Sequence, residues 1–134
     1  MRNSASKAGR SHLVVIIASL VLGISIPCGN AEAADAVQAR KDLKAMGLEY
    51  AGQDFAKAAG NDDMTAVQLF LDAGMAVNEG GSAAIGMAAG RGKTQMVQFL
   101  LSKGSKPSSN ALQYARTRGY RDIEKILLDA GAQE

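Results

Sequence analysis

The chain has 134 residues, a formal net charge of +2, and 47% hydrophobic against 21% charged residues, which fits one domain and is too short for two independent cores. Cut after residue 33, the chain separates into unlike parts. The first holds Arg2, Lys7, Arg10, the only histidine (His12), the only cysteine (Cys28) and the single acid Glu32, so the remainder carries twelve bases against twelve acids and no His, Cys or Trp. A protein that works without residues 1–33 has no imidazole, no thiol and no histidine/cysteine zinc set, which removes most enzyme classes.

In that first segment Arg2, Lys7 and Arg10 precede an apolar run from Leu13 to Gly23, broken only by Ser19 and continued by Ile24, Ser25 and Ile26. Pro27 and Gly29 interrupt any helix, and Ala31-Glu32-Ala33 places small residues where a signal peptidase reads. A basic region, an apolar stretch and an Ala-x-Ala site in this order define a cleavable secretory signal over residues 1–33, cut after Ala33. An uncleaved anchor needs a run of roughly 20 apolar residues, more than this one supplies. Lipid attachment at Cys28 is the other alternative, and Ser25-Ile26-Pro27 is a poor lipobox. Export of a chain whose mature part lacks cysteine points to a bacterial periplasm or to secretion.

The mature chain repeats. AKAAGNDDMTAVQLFLDAG (56–74), GMAAGRGKTQMVQFLLSKG (86–104) and QYARTRGYRDIEKILLDAG (113–131) each hold a small-residue helix, a polar or glycine turn, an apolar helix and a closing glycine. A weaker copy, QARKDLKAMG, ends at Gly47. Ala58, Ala59, Ala88, Ala89 and Ala115 stand where backbones approach closely. Val67, Leu69, Phe70 and Leu71 correspond to Val97, Phe99, Leu100 and Leu101, with Ile123, Ile126, Leu127 and Leu128 in the third copy, stripes at helical spacing that face a neighbouring unit. Gly74, Gly104 and Gly131 suit the left-handed turn that ends a helix. Helices this short need stacking to persist, so the spacing predicts an all-α solenoid.

The segment AAGRGKTQMVQFLLSKG followed by SKP resembles the ankyrin repeat, whose pattern runs Ala-Ala-x-x-Gly, three residues, Val-Val-x-Leu-Leu-Leu-x-x-Gly and then Ala-x-x-Asn. LFLDAGMAVN brings Val77 and Asn78 to the family positions, and LLDAGA ends the third copy. The resemblance implies an ankyrin-repeat solenoid of about three repeats over residues 50–134, with residues 34–49 as a capping helix or half repeat. Departures are visible. The family's Thr-Pro-Leu-His turn is replaced by Gln53-Asp54-Phe55-Ala56, Ala83-Ala84-Ile85-Gly86 and Asn110-Ala111-Leu112-Gln113. The closing glycines lie 30 and 27 residues apart, against about 33 for the family. Stunted finger loops and weak helix starts follow, with Ser82 and Asn110 as the best caps.

Other chemistry is thinly supported. Asn61-Asp62-Asp63 offers hard oxygen ligands for Ca²⁺, but it aligns with the helix–helix turns at Arg91-Gly92-Lys93 and Arg118-Gly119-Tyr120, so no metal site and no cofactor are assigned. The acids are dispersed, although a small carboxylate-dependent enzyme acting on cell wall or carbohydrate stays open as the alternative. Gly92-Lys93-Thr94 lacks the upstream glycine of a phosphate loop. Charge is polarised: residues 35–79 carry eight acids and four bases, residues 80–134 eight bases and four acids. In an exported protein the basic half is either a solvated face, the commonest reading of such charge, or a surface for an anionic protein or a membrane face, rather than for nucleic acid.

Ankyrin proteins bind partners through a concave side built from finger loops and exposed first-helix positions. The resemblance carries that role to Lys57, Met87, Arg91, Tyr114 and Arg118, and to Asp63, Lys93 and Tyr120 in the following turns. The aromatic and Arg members are the expected hot spots. Tyr114 could equally pack against the next helix. The sequence thus reads as an exported, non-catalytic, monomeric module for a periplasmic protein partner, in an accessory or protective role or as an inhibitor or immunity-type protein.

Overall fold

The structure, a computed structural model, describes residues 33–134. The segment assigned to the secretory signal, up to residue 32, lies outside the described residues. Residues 36–134 form one compact unit. Among the described residues there are seven helices and no strand: α1 at 33–45, α2 at Gly52–Gly60, α3 at Met64–Asp72, α4 at Ala83–Gly90, α5 at Thr94–Ser102, α6 at Ser109–Arg118 and α7 at Arg121–Asp129. The architecture is an all-α repeat solenoid. The inner helices α2, α4 and α6 stack side by side with α4 in the middle, and each pairs with the helix that follows it.

Repetition of sequence becomes repetition of hydrogen bonding. Outer helices α1, α3, α5 and α7 end at Gly47, Gly74, Gly104 and Gly131, with φ of +76°, +93°, +91° and +95°. After each, the next amide reaches back to the carbonyl five residues earlier: Leu48 to Leu43 (3.0 Å), Met75 to Phe70 (3.0 Å), Ser105 to Leu100 (2.9 Å) and Ala132 to Leu127 (2.9 Å). These left-handed closures satisfy carbonyls that a helix end otherwise leaves unpaired. The inner helices end in the same way. The amides of Asp63, Lys93 and Tyr120 bond the carbonyls of Ala58, Ala88 and Ala115 at 3.0, 2.9 and 2.9 Å, around left-handed residues Asp62, Gly92 and Gly119. The acidic cluster 61–63 is therefore a helix–helix turn, and Asp63 caps α3 by accepting the Ala66 amide at 3.0 Å.

Packing follows the small/large division. Inner helix α4 buries Ala84, Ile85, Gly86, Ala88, Ala89 and Gly90, being covered from two sides. Two glycines within eight residues make it a poor helix in isolation, at a cost of roughly 1 kcal/mol each relative to Ala; the stack sustains it. The outer helices contribute Val67, Phe70, Met96, Val97, Leu100, Ile123 and Leu127, all essentially inaccessible. Leu69, Phe99 and Ile126 are half-buried. Leu128 departs from the expected inner stripe and is 41% exposed.

Helix α1 buries Ala39 and Leu43 in the same core. Its Arg40 donates to the Ala73 carbonyl at the end of α3 (3.2 Å from Nη2) and lies over the Tyr50 ring, 4.5 Å from its centre. Near the start of α2, the Asp54 carboxylate accepts the Glu49 amide at 2.9 Å and pairs with Lys57 at 3.1 Å, which holds its carboxyl below the usual range, the backbone bond contributing most.

Two expected caps are misplaced. Ser82 does precede α4, but the connection from Met75 passes through left-handed Gly80 and Gly81, and Ser82 itself adopts φ +75° and makes no side-chain cap. Helix α6 begins one residue before Asn110, and Ser108 is its cap, accepting the Ala111 amide at 3.1 Å. The connections between repeats, residues 75–82 and 105–108, consist of turns and extended chain without strands. Asn78 ties them together, donating to the Gly104 carbonyl at 3.3 Å and accepting the Lys106 amide at 2.9 Å.

Candidate functional site

The inner helices present one face to solvent, and equivalent positions line up across it: Lys57, Met87 and Tyr114 in one row, Asn61, Arg91 and Arg118 in the next. Inter-repeat contacts order these rows. Arg91 donates from Nη1 to Asn61 Oδ1 at 2.5 Å, and its side chain lies over Gly60, where a Cβ would meet it at 3.3 Å. Arg118 donates from Nη1 to the Gly90 carbonyl. The Tyr114 ring packs on Gly90 while the residue stays 49% exposed. Tyr114 thus packs on the preceding inner helix, not on the next one, and keeps about half of its surface exposed.

Two grooves run between these helices. One, of about 510 Å³, lies between α2 and α4 under the 75–82 connection, lined by Gly52, Ala56, Lys57, Glu79, Ala83 and Met87 among others. The second, of about 300 Å³, lies between α4 and α6, lined by Gly86, Met87, Gly90, Arg91, Tyr114 and Arg118. Of the eight residues singled out from the sequence, five (Lys57, Met87, Arg91, Tyr114 and Arg118) line these grooves, and Met87 belongs to both. The other three sit in the helix–helix turns. Asp63 is committed to capping α3. Lys93 is half-buried before α5, with no side-chain cap bond. Tyr120 is half-buried, its ring so close above Gly92 that an added Cβ there would meet it at 2.9 Å.

Sequence reasoning missed the finger-side half of the larger groove, Gly52, Ala56, Glu79 and Ala83. Extending the stripe at 57, 60 and 61 back by one helical turn reaches 53 and 56, and likewise 83 and 86 in the next repeat. The signal was present, but alanine and glycine at these positions read as packing residues. Among the described residues no group of three or more His, Cys, Asp or Glu side chains could hold a metal ion, and no helix is long and apolar enough to cross a membrane.

A short stack of helix pairs with a continuous grooved face defines a repeat scaffold that presents a surface. A model of the family described as ankyrin repeats (3 copies) matches residues 55–134, more than half of the chain. The chain belongs to the ankyrin-repeat family, and the repeats mark a protein–protein interaction module. No match was found to a curated protein or to a solved structure.

Proposed function

We propose that this is an exported, monomeric, non-catalytic module that binds a protein partner in the periplasm through the face formed by α2, α4 and α6. The observation that carries the reading is the pair of adjoining grooves sharing Met87, with apolar, aromatic and guanidinium groups on one rigid surface. Such groups dominate interface energies when desolvated. A rigid stack also presents them without an ordering cost at binding. The export half of the proposal rests on the residue 1–33 pattern. The partner is either assisted or inhibited, and these roles differ in the sign of the change in its activity.

The test is fractionation of cells carrying C-terminally tagged protein, N-terminal sequencing of what is recovered, and affinity purification from the same fraction. A periplasmic product starting at Ala34, with a near-stoichiometric companion lost from the Met87→Glu variant, is the expected result. Cytosolic protein retaining residues 1–33 would overturn the export reading. A companion retained equally by Met87→Glu would overturn the assignment of the face.

A further inference from the structure

The smaller groove has a chemistry that a general binding face does not require. Arg91 and Arg118 both line it, and neither is among the ion pairs of the described residues, which join Lys57 to Asp54 and Arg116 to Glu124 and Glu134. Each guanidinium is tethered through Nη1 to the preceding repeat, Arg91 at Asn61 Oδ1 and Arg118 at the Gly90 carbonyl. A guanidinium carries five N–H donors in a fixed fork. One tether therefore orients the plane and leaves most donors without a protein acceptor, so little further order is lost on meeting an anion. The remaining lining is Gly86, Met87, Gly90 and Tyr114, with no acid. A volume of about 300 Å³ admits a side chain and not a folded element.

The adjoining groove differs. Gly52, Ala56, Gly80, Ala83 and Met87 make it largely apolar, with Gln53, Lys57 and Glu79 as its polar lining residues. Packed helix axes lie roughly 8–10 Å apart, and an extended chain advances about 3.3 Å per residue. One extended segment can thus fill both grooves with side chains two to four residues apart. Charge sets its direction: the acids Asp54, Asp62, Asp63 and Glu79 belong to the first repeat and its finger, and the bases Arg91, Lys93 and Arg118 to the second and third.

We propose, resting on the reading of this face as the partner site, that it selects an extended acidic protein segment. An Asp or Glu carboxylate lies between Arg91 and Arg118, and an apolar side chain two to four residues away lies against Met87, Ala56 and Ala83. Charge-assisted hydrogen bonds to two oriented guanidinium groups supply the preference for the ionised acid.

The experiment pans a random library of short peptides displayed on phage against the full chain. The strongest peptide is then measured by fluorescence anisotropy beside its Glu→Gln or Asp→Asn version. Recovered peptides carrying an acid two to four residues from a Leu, Ile, Phe or Met, and weakened about tenfold or more by the amide, are the expected result. Against the Arg91→Gln/Arg118→Gln protein, acidic and amide peptides should bind alike. Because this is a ratio of affinities within one protein, a lower folded fraction does not mimic it. Recovered peptides without an acidic position would overturn the proposal, as would an acid preference that persists in the double variant. Displacement of the acidic peptide by inorganic phosphate, but not by acetate at equal ionic strength, would assign the groove to a phosphoanion instead. Self-association abolished by the double variant would assign it to a second copy. Acid-indifferent peptides still lost on Met87→Glu would sink the carboxylate site and leave the face standing, whereas peptides unaffected by any of these variants would sink the face itself.

Discussion

The middle and last helix pairs share one backbone plan and diverge in the residues they place at the positions facing along the stack. In the middle pair Ala89 and Val97 occupy equivalent stack-facing positions on α4 and α5 and are completely buried; Ala59 and Val67 do the same in the first pair. The last pair has Arg116 and Glu124 at these positions. They form an ion pair at 2.8 Å, and Arg116 also reaches Glu134 at 2.7 Å, with side chains 39% and 30% exposed for Arg116 and Glu124. The hydrogen bonds to Glu124 and Glu134 hold the Arg116 guanidinium above its already high ordinary pKa. Where a repeat follows, the site takes alanine and valine. In the third pair it takes a charged pair that another apolar repeat could cover only by desolvating it. A charged pair at this position has the character of the polar outer face of a capping repeat.

The strongest way to break the comparison is to move the terminal residue inward. Val97→Glu places a carboxylate at a fully buried site, at an effective cost of several kcal/mol, and the protein should lose its cooperative far-ultraviolet melt. The reciprocal change, Arg116→Ala with Glu124→Val, should leave the fold intact and uncover an apolar end face. Sedimentation velocity should then show concentration-dependent association absent from the parent. A folded Val97→Glu protein, or a double variant that stays monomeric at every concentration, would mean that these positions do not decide interior from end.

Next in size is the core pair. Leu100→Ala and Leu127→Ala both empty fully buried sites, and large-to-small changes of this kind cost about 2–5 kcal/mol. Leu100 sits in α5, between two other helix pairs, so its cavity has less freedom to collapse. It should lie at the upper end and Leu127 at the lower in urea unfolding. Equal losses would show that the terminal pair is as rigidly framed as the middle one.

Much of this plan is legible in the residues. The closing glycines, the alanines of the inner helices and the apolar stripe of the outer ones recur from copy to copy and need no knowledge of contacts between copies, so periodicity finds them. The ion pair at the end is not legible: Arg116 and Glu124 lie on different helices and break the repeat pattern, which reads as decay of the repeat and not as a device. The tethers from Arg91 to Asn61 and from Arg118 to Gly90 connect successive copies, about thirty residues apart, and nothing within one copy announces them. Ser82 fails as a cap for a local reason, since two preceding left-handed glycines carry the chain into a conformation from which a serine does not cap.

A smaller contrast lies in the inner-helix turns. Gly92 and Gly119 are equivalent, with φ of +73° and +77°, and alanine in that conformation costs about 1–2 kcal/mol. Gly119 has open space where a Cβ would go, whereas at Gly92 the Tyr120 ring stands 2.9 Å away. Gly92→Ala should therefore lose more stability than Gly119→Ala in thermal melts. The excess should vanish in a Tyr120→Ala background. If it persists there, the ring is not its source.

The smallest effect should run the other way. Met75, Ser105 and Ala132 follow the closing glycines of their repeats and are all buried, with 8%, 6% and 8% exposure. Two are apolar, and the Ser105 hydroxyl has no hydrogen-bond partner. An unpaired buried hydroxyl costs about 1–3 kcal/mol in proteins, and removing one oxygen leaves a void too small to offset that. Ser105→Ala should raise the urea midpoint by the equivalent of about 1 kcal/mol with the slope unchanged. The amide of residue 105, which closes α5 on Leu100, is common to both side chains and drops out of the comparison. A lower midpoint would show that the hydroxyl has an acceptor in solution, and that the middle repeat tolerates a polar group by pairing it, as the last repeat does with Arg116.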